Sequence, residues 1–168
     1  MKNIIRLLAL VGIVSLQSCT VTDTTPVVDN DTISTVFENS TPYNFTVNNG
    51  YKINFRLPYT IYTSDVILVY RLTGTVNGND LWEFLPETHY FSDGTRDFSY
   101  NFDFTRNDVQ VYLEGNNLGS LSSVYRLNQT FRFVVIPAEL RYAVDVNKYL
   151  EVMNTLNIKE SQVQTINL

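Results

Sequence analysis

From Ile33 onward, apolar and polar residues alternate with a period of two. Ile53, Phe55 and Leu57 alternate with Lys52, Asn54 and Arg56, and Val109, Val111 and Leu113 alternate with Gln110, Tyr112 and Glu114. The longest such run sets Phe98, Tyr100, Phe102 and Phe104 against Asp97, Ser99, Asn101 and Asp103. One apolar and one polar face per segment predicts half-buried antiparallel strands. Val66–Leu72 and Gln129–Ile136 differ: both are apolar on two faces, the first until Arg71, the second with Phe131, Phe133 and Val135 opposite Val134 and Ile136. These two segments are expected to run centrally in a sheet.

Polar breaks separate the runs. Asn48-Asn49-Gly50 divides Tyr43–Val47 from Tyr51–Leu57, and Asp93-Gly94 divides Thr88–Phe91 from Arg96–Phe104, each with a glycine able to take the positive φ of a tight hairpin. Asn77–Asp80, Thr105–Asp108 and Gly115–Gly119 are further breaks. The count is about eight strands with turns every 8–12 residues or so, which predicts an all-β fold, an antiparallel β-sandwich of immunoglobulin-like or jelly-roll-like kind over residues 33–168. The pattern changes after Pro137. Tyr149, Val152, Met153 and Leu156 lie at i, i+3, i+4 and i+7, which predicts one C-terminal amphipathic helix around residues 146–157. Asp145 or Asn147 is its expected N-cap, and an open edge or end of the sandwich its expected seat. Gln162–Leu168 is expected to add a last strand.

The start of the chain follows another logic. Lys2 and Arg6 precede an apolar stretch, Leu7–Leu16, interrupted only by Gly12 and Ser15. Ten helical residues rise only about 15 Å, short of the roughly 30 Å hydrocarbon core, so residues 1–18 read as an export signal and not as a permanent span. Cys19, the single cysteine of the 168 residues, follows at once. Leu16-Gln17-Ser18-Cys19 resembles the lipobox of bacterial lipoproteins, with Gln17 departing from the small or β-branched residue usual there. The resemblance implies cleavage between Ser18 and Cys19, diacylglycerol on the Cys19 thiol, and a membrane partner reached through that lipid. One acyl chain holds a protein only marginally, whereas two or three hold it stably. Thr20, in place of a retention aspartate, implies sorting to the outer membrane, with the periplasmic or external face left open.

Residues 19–32 read as the lipidated cysteine and a polar, β-branched tether whose 13 residues after Cys19 reach at most about 45 Å. Asp23-Thr24-Thr25 and Asp31-Thr32-Ile33 match the short O-glycosylation triplet of Bacteroidota, which makes Thr24 and Thr32 candidate acceptors; a plain solubilising tether is the preferred reading of so Thr-rich a segment. Asp29, Asn30 and Asp31 lack the spaced ligands and closing glutamate of a calcium loop.

Charge narrows the partners. Without Lys2 and Arg6, the 12 Lys+Arg of the whole chain fall to 10 against 17 Asp+Glu, a net charge of −7. An acidic chain with no basic cluster is a poor ligand for nucleic acid or anionic headgroups.

The lipobox, the run Ile61–Arg71, the segment Leu81–Pro86 and the ending Val134–Ala138 together resemble a group of short Bacteroidota lipoproteins with a C-terminal β domain. Some members carry collagen-like repeats between cysteine and domain, and these are absent here. The group has no assigned activity, so the resemblance implies an envelope location and a domain type, not a chemistry.

Candidate chemistry is sparse. His89 is the only histidine, which rules out a multi-histidine metal site, and no Gly-x-Ser-x-Gly elbow, phosphate loop or dinucleotide fingerprint is present. No metal or cofactor is expected. His89 reads as a strand residue sharing a face with Phe91. Glu83 and Glu87 are the one carboxylate pair to weigh for glycoside hydrolysis. Asp97 and Asp103 lie about 20 Å apart along a strand, too far for paired acid–base work.

Aromatic residues make up 13% of the chain. Trp82, Tyr90, Tyr112 and Tyr125 are those least committed to a core by pattern, and so are the candidate binding aromatics. For Trp82 the competing reading, and the preferred one, is core packing beneath the Asn77–Asp80 loop. The expectation is a non-enzymatic binding or interaction module anchored at the outer membrane, its partner an unspecified protein or glycan. A glycan-binding surface protein, a structural or assembly subunit and a glycoside-acting enzyme are the alternatives.

Overall fold

The computed structural model describes residues 34–167. The expected export signal and tether, with Ser18, Cys19, Thr24 and Thr32, lie outside the described residues. Nine strands form: β1 (Thr35–Asn39), β2 (Lys52–Arg56), β3 (Val66–Val76), β4 (Asn79–Phe84), β5 (Glu87–Tyr90), β6 (Arg96–Phe104), β7 (Asp108–Gly115), β8 (Phe131–Ile136) and β9 (Gln164–Ile166). One sheet has the order β4-β3-β8-β1-β9 and the other β2-β7-β6-β5. Every pairing is antiparallel except β1 with β9. This is the all-β sandwich that the alternation predicts, with the last strand in place. Tyr43–Val47 departs from expectation, because it makes only a bridge from Tyr43 to Gln129 and a 3-10 turn, Val47–Asn49.

The alternation explains the core between the sheets. Phe37 of β1, Ile67 and Val69 of β3, and Phe131, Phe133 and Val135 of β8 face Ile53 and Phe55 of β2, Phe98 and Tyr100 of β6, and Val109, Val111 and Leu113 of β7. Phe55 and Phe133 meet across the layer with ring centroids 4.1 Å apart. Successive residues of a strand point to opposite faces, so the intervening residues of β1, β3 and β8 point away from this core. They are apolar too: Val36, Leu68, Tyr70, Val134 and Ile136 form a second buried cluster on the outer face of the five-stranded sheet.

That second cluster needs a cover, and the C-terminal segment supplies it. The helix α2 (Tyr149–Thr155; α1 is Ser123–Arg126) buries Tyr149, Val152 and Met153 against Leu68, Tyr70 and Trp82. It therefore lies over a sheet face and not at an edge or end of the sandwich. Its limits are set locally. Asp145 caps the preceding turn, accepting from Asn147 N at 3.2 Å, so the helix opens only after Lys148, with no side-chain cap. Asn157 takes φ 53°, and Ile158 N and Asn157 N bond back to Met153 O and Asn154 O at 2.9 and 3.1 Å, a complete Schellman stop.

Met153→Ala should lower unfolding free energy by about 2–5 kcal/mol in urea denaturation, because it opens a void in the outer cluster. Leu150, on the same helix and 68% exposed, should tolerate alanine within about 0.5 kcal/mol. Equal losses at the two positions would reject this seat for the helix.

Candidate functional site

Two arginines interrupt the doubly apolar strands. Arg71 lies between the sheets and is buried. Its Nε and Nη2 donate to Glu87 Oε2 and Oε1 at 2.8 and 2.7 Å, a bidentate pair from β3 to β5 across the two sheets. Nη1 donates to Gln129 Oε1 at 3.1 Å, and the guanidinium sits 4.5 Å from the Tyr100 ring centre. Burial opposes the charge on Arg71, but the Glu87 hydrogen bonds more than restore it and hold the guanidinium above its usual range. Burial pushes the Tyr100 phenol upward as well, so it stays protonated and donates to the Tyr125 carbonyl.

This network floors a cleft of about 530 Å³ whose walls include Glu83, His89, Tyr125 and Asn128. The His89 ring stacks on Phe98 at 4.3 Å with only 8° between planes, and Tyr125 lies 4.9 Å away. His89 Nε2 is 2.7 Å from Glu87 Oε1 but makes no aligned hydrogen bond to it. Glu83 and Glu87 do line one cleft, and both Glu87 oxygens accept hydrogen bonds from Arg71.

A second cleft, of about 420 Å³, shares Tyr125 and is otherwise lined by Phe91, Asp97, Leu121 and the polar residues Asn116, Asn117, Ser120 and Ser122. A bulge builds it. β5 and β6 pair His89 with Phe98 but Tyr90 with Arg96, so Asp97 is the extra residue on β6. Gly115 lies against that bulge: a Cβ there would stand 2.9 Å from the Asp97 carbonyl oxygen and 3.0 Å from Phe98 Cβ. Only glycine lets the chain after β7 come this close and lay Asn116 and Asn117 beside Asp97. The connection is held by Arg126 Nε donating to Leu121 O at 2.9 Å and by Ser122 capping α1 through Val124 N.

The four candidate aromatics do not form one platform. Trp82 is 7% exposed and belongs to the outer core. Its ring is covered by the Arg132 guanidinium at 4.2 Å and by Tyr149 at 5.6 Å, so most of it is spent on packing. It packs against Tyr149 of α2 and shares a cleft with Gly78, Asn79 and Asp80. Tyr90 is 65% exposed on β5. Tyr112 is half-buried on the polar face of β7 with Lys52 Nζ 5.9 Å from its ring centre. By register, Tyr90 pairs with Arg96 and Tyr112 with Asn101, five residues or about 16 Å apart along β6. Tyr125 lines both the Arg71 cleft and the Phe91–Asn116 cleft, and Trp82 lines two others beside α2. Phe91, expected beside His89, lies just past β5 in the turn and is 53% exposed.

Hydrophobic pattern gives no functional mark to Arg71, Gln129 or the Asn116–Asn117 shelf. A single charge at the end of a doubly apolar strand was the available signal for Arg71, since a buried charge requires a partner. Among the described residues, no group of three or more His, Cys, Asp or Glu side chains is placed to hold a metal ion, and no helix is long and apolar enough to cross a membrane. No family model, curated protein or solved structure matches the chain.

The Arg71–Glu87 pair is open to a double-mutant cycle read by urea denaturation. Arg71→Met alone should cost about 3–5 kcal/mol, because it strands a buried carboxylate. Adding Glu87→Leu should return most of that loss. Strict additivity would show that the two side chains act independently.

Proposed function

We propose that this chain is a lipoprotein of the bacterial outer membrane, anchored through diacylglycerol on Cys19, whose β-sandwich is a non-catalytic binding module. The observation that carries the binding half is the pair of clefts meeting at Tyr125, built on a floor whose polar groups are already fixed by one another. A preformed concave surface with a few convergent polar groups is the usual form of a ligand site. The capture of Glu87 by Arg71 weighs against glycoside hydrolysis, which needs two available carboxyl groups. The anchoring half rests on Leu16-Gln17-Ser18-Cys19, on the short apolar run before it, and on an acidic mature chain with little affinity of its own for anionic membranes.

Cys19→Ser should move the protein from the membrane to the soluble fraction of lysed cells, and mass spectrometry of the wild-type N-terminal peptide should find an acylated thioether. Membrane retention of the variant, or an unmodified Cys19 in the mature protein, overturns the anchor. For the binding half, a ligand at about 100 times its Kd stabilises the folded state by roughly 2.7 kcal/mol. Melting the detergent-solubilised lipoprotein against fractionated envelope polysaccharides and proteins should therefore find a fraction that raises Tm. No rise in any fraction would count against a binding module.

A further inference from the structure

We propose that the Phe91–Asn116 cleft binds a neutral oligosaccharide, with Tyr125 carrying the sugar chain toward the Arg71 cleft. The proposal rests on the binding-module reading and names its ligand class. Its first support is the contrast between the two clefts. Arg71, Glu87 and Gln129 are engaged with one another. In the neighbouring cleft the side chains of Asp97, Asn116 and Asn117 make no hydrogen bond or ion pair with the described residues. Gly115 nevertheless brings them side by side.

A carboxylate beside two amides accepts and donates within a small area, which suits vicinal hydroxyls, since each hydroxyl is itself both donor and acceptor. Phe91 adds an exposed ring at the rim, and the C–H face of a pyranose is the apolar surface such a ring can cover. Charge selects further. The cleft contains the Asp97 carboxylate and no cationic side chain, while the one arginine in the adjoining cleft is neutralised by Glu87. Uronic or sulfated sugars would meet uncompensated negative charge, so the ligand is neutral. An extended ligand follows from Tyr125, which lines both clefts and is held from beneath by Tyr100.

The test uses the full lipidated protein in detergent, titrated with maltoheptaose, xylohexaose, mannohexaose and chitohexaose, and with oligogalacturonate as the anionic control. At least one neutral oligomer should bind and oligogalacturonate should not. Phe91→Ala should weaken that binding about tenfold, the loss of roughly one stacked ring. Asn116→Ala should weaken it several-fold, and neither change should move Tm, because both side chains are exposed. Failure of all four neutral oligomers, preference for oligogalacturonate, or unchanged affinity in Phe91→Ala overturns the proposal. If an envelope polypeptide binds instead and is lost on Phe91→Ala, the sugar class falls while the binding-module reading stands. If a bound ligand is indifferent to both substitutions, the cleft itself is the wrong site.

Discussion

The inner strands of the five-stranded sheet are buried on both faces, β8 along its whole length and β3 from Ile67 to Arg71, and the rest of the molecule answers to that constraint. Its inner face packs on the second sheet, and its outer face packs beneath α2 and the C-terminal segment. A sheet without a wet face has nowhere to put a charge except against a partner, since an unpaired buried ion costs several kcal/mol even after relaxation. Yet its two central strands each carry an arginine. β3 and β8 pair Tyr70 with Arg132 and Arg71 with Phe131, so the two guanidinium groups start from adjacent rungs and leave on opposite faces. Each becomes the polar tie between this sheet and one neighbouring layer.

Arg71 ties the sheets to each other, and Arg132 ties the outer layer down. Arg132 donates to Glu38 of β1 at 2.7 Å, to the Tyr149 hydroxyl at the start of α2, and to Glu160 from both terminal nitrogens. Burial works against its charge, and the carboxylates at Glu160 and Glu38 outweigh burial and raise it above the ordinary arginine range. Trp82 closes the remaining face of the guanidinium. The ionic contribution of Glu160, whose side chain is 69% exposed, is screened by solvent, so its service is chiefly directional. It fixes where the chain turns after α2, and β9 then reaches β1 as the sheet's one parallel neighbour.

Most of this was legible because alternation is a strong signal. The doubly apolar runs Val66–Leu72 and Gln129–Ile136 became the centre of the covered sheet, and the singly apolar runs became the second sheet with its polar outer face. Position was read less well wherever one local contact reset the pattern. The helix begins late because Asp145 caps the turn before it and ends early because Asn157 adopts a left-handed conformation, neither of which hydrophobic spacing encodes. Phe91 left the face of His89 because β5 stops at Tyr90. Core packing, the preferred reading for Trp82, holds, but its cover comes from Arg132 of β8, two strands away, and from Tyr149 of α2, which alternation along β4 does not encode. The second cleft was least visible of all, since it depends on an extra residue at Asp97 meeting a glycine eighteen positions later in the chain.

Polar residues here divide into two kinds, those bonded to one another and those whose side chains have no partner among the described residues. Arg71, Glu87, Gln129, Arg132 and Glu38 are mutually bonded, so their chemistry is consumed in joining layers. A ligand would have to displace bonds in a low-dielectric interior to use them, and each broken bond would expose a buried charge. Asp97, Asn116 and Asn117 stand at a bulge where the ladder is locally interrupted, and their side chains bond to none of the described residues. Bulges redirect side chains at sheet margins without breaking the core beneath them. The proposed recognition site therefore sits where β6 bulges against Gly115, with the arginine network as its foundation and not as its chemistry.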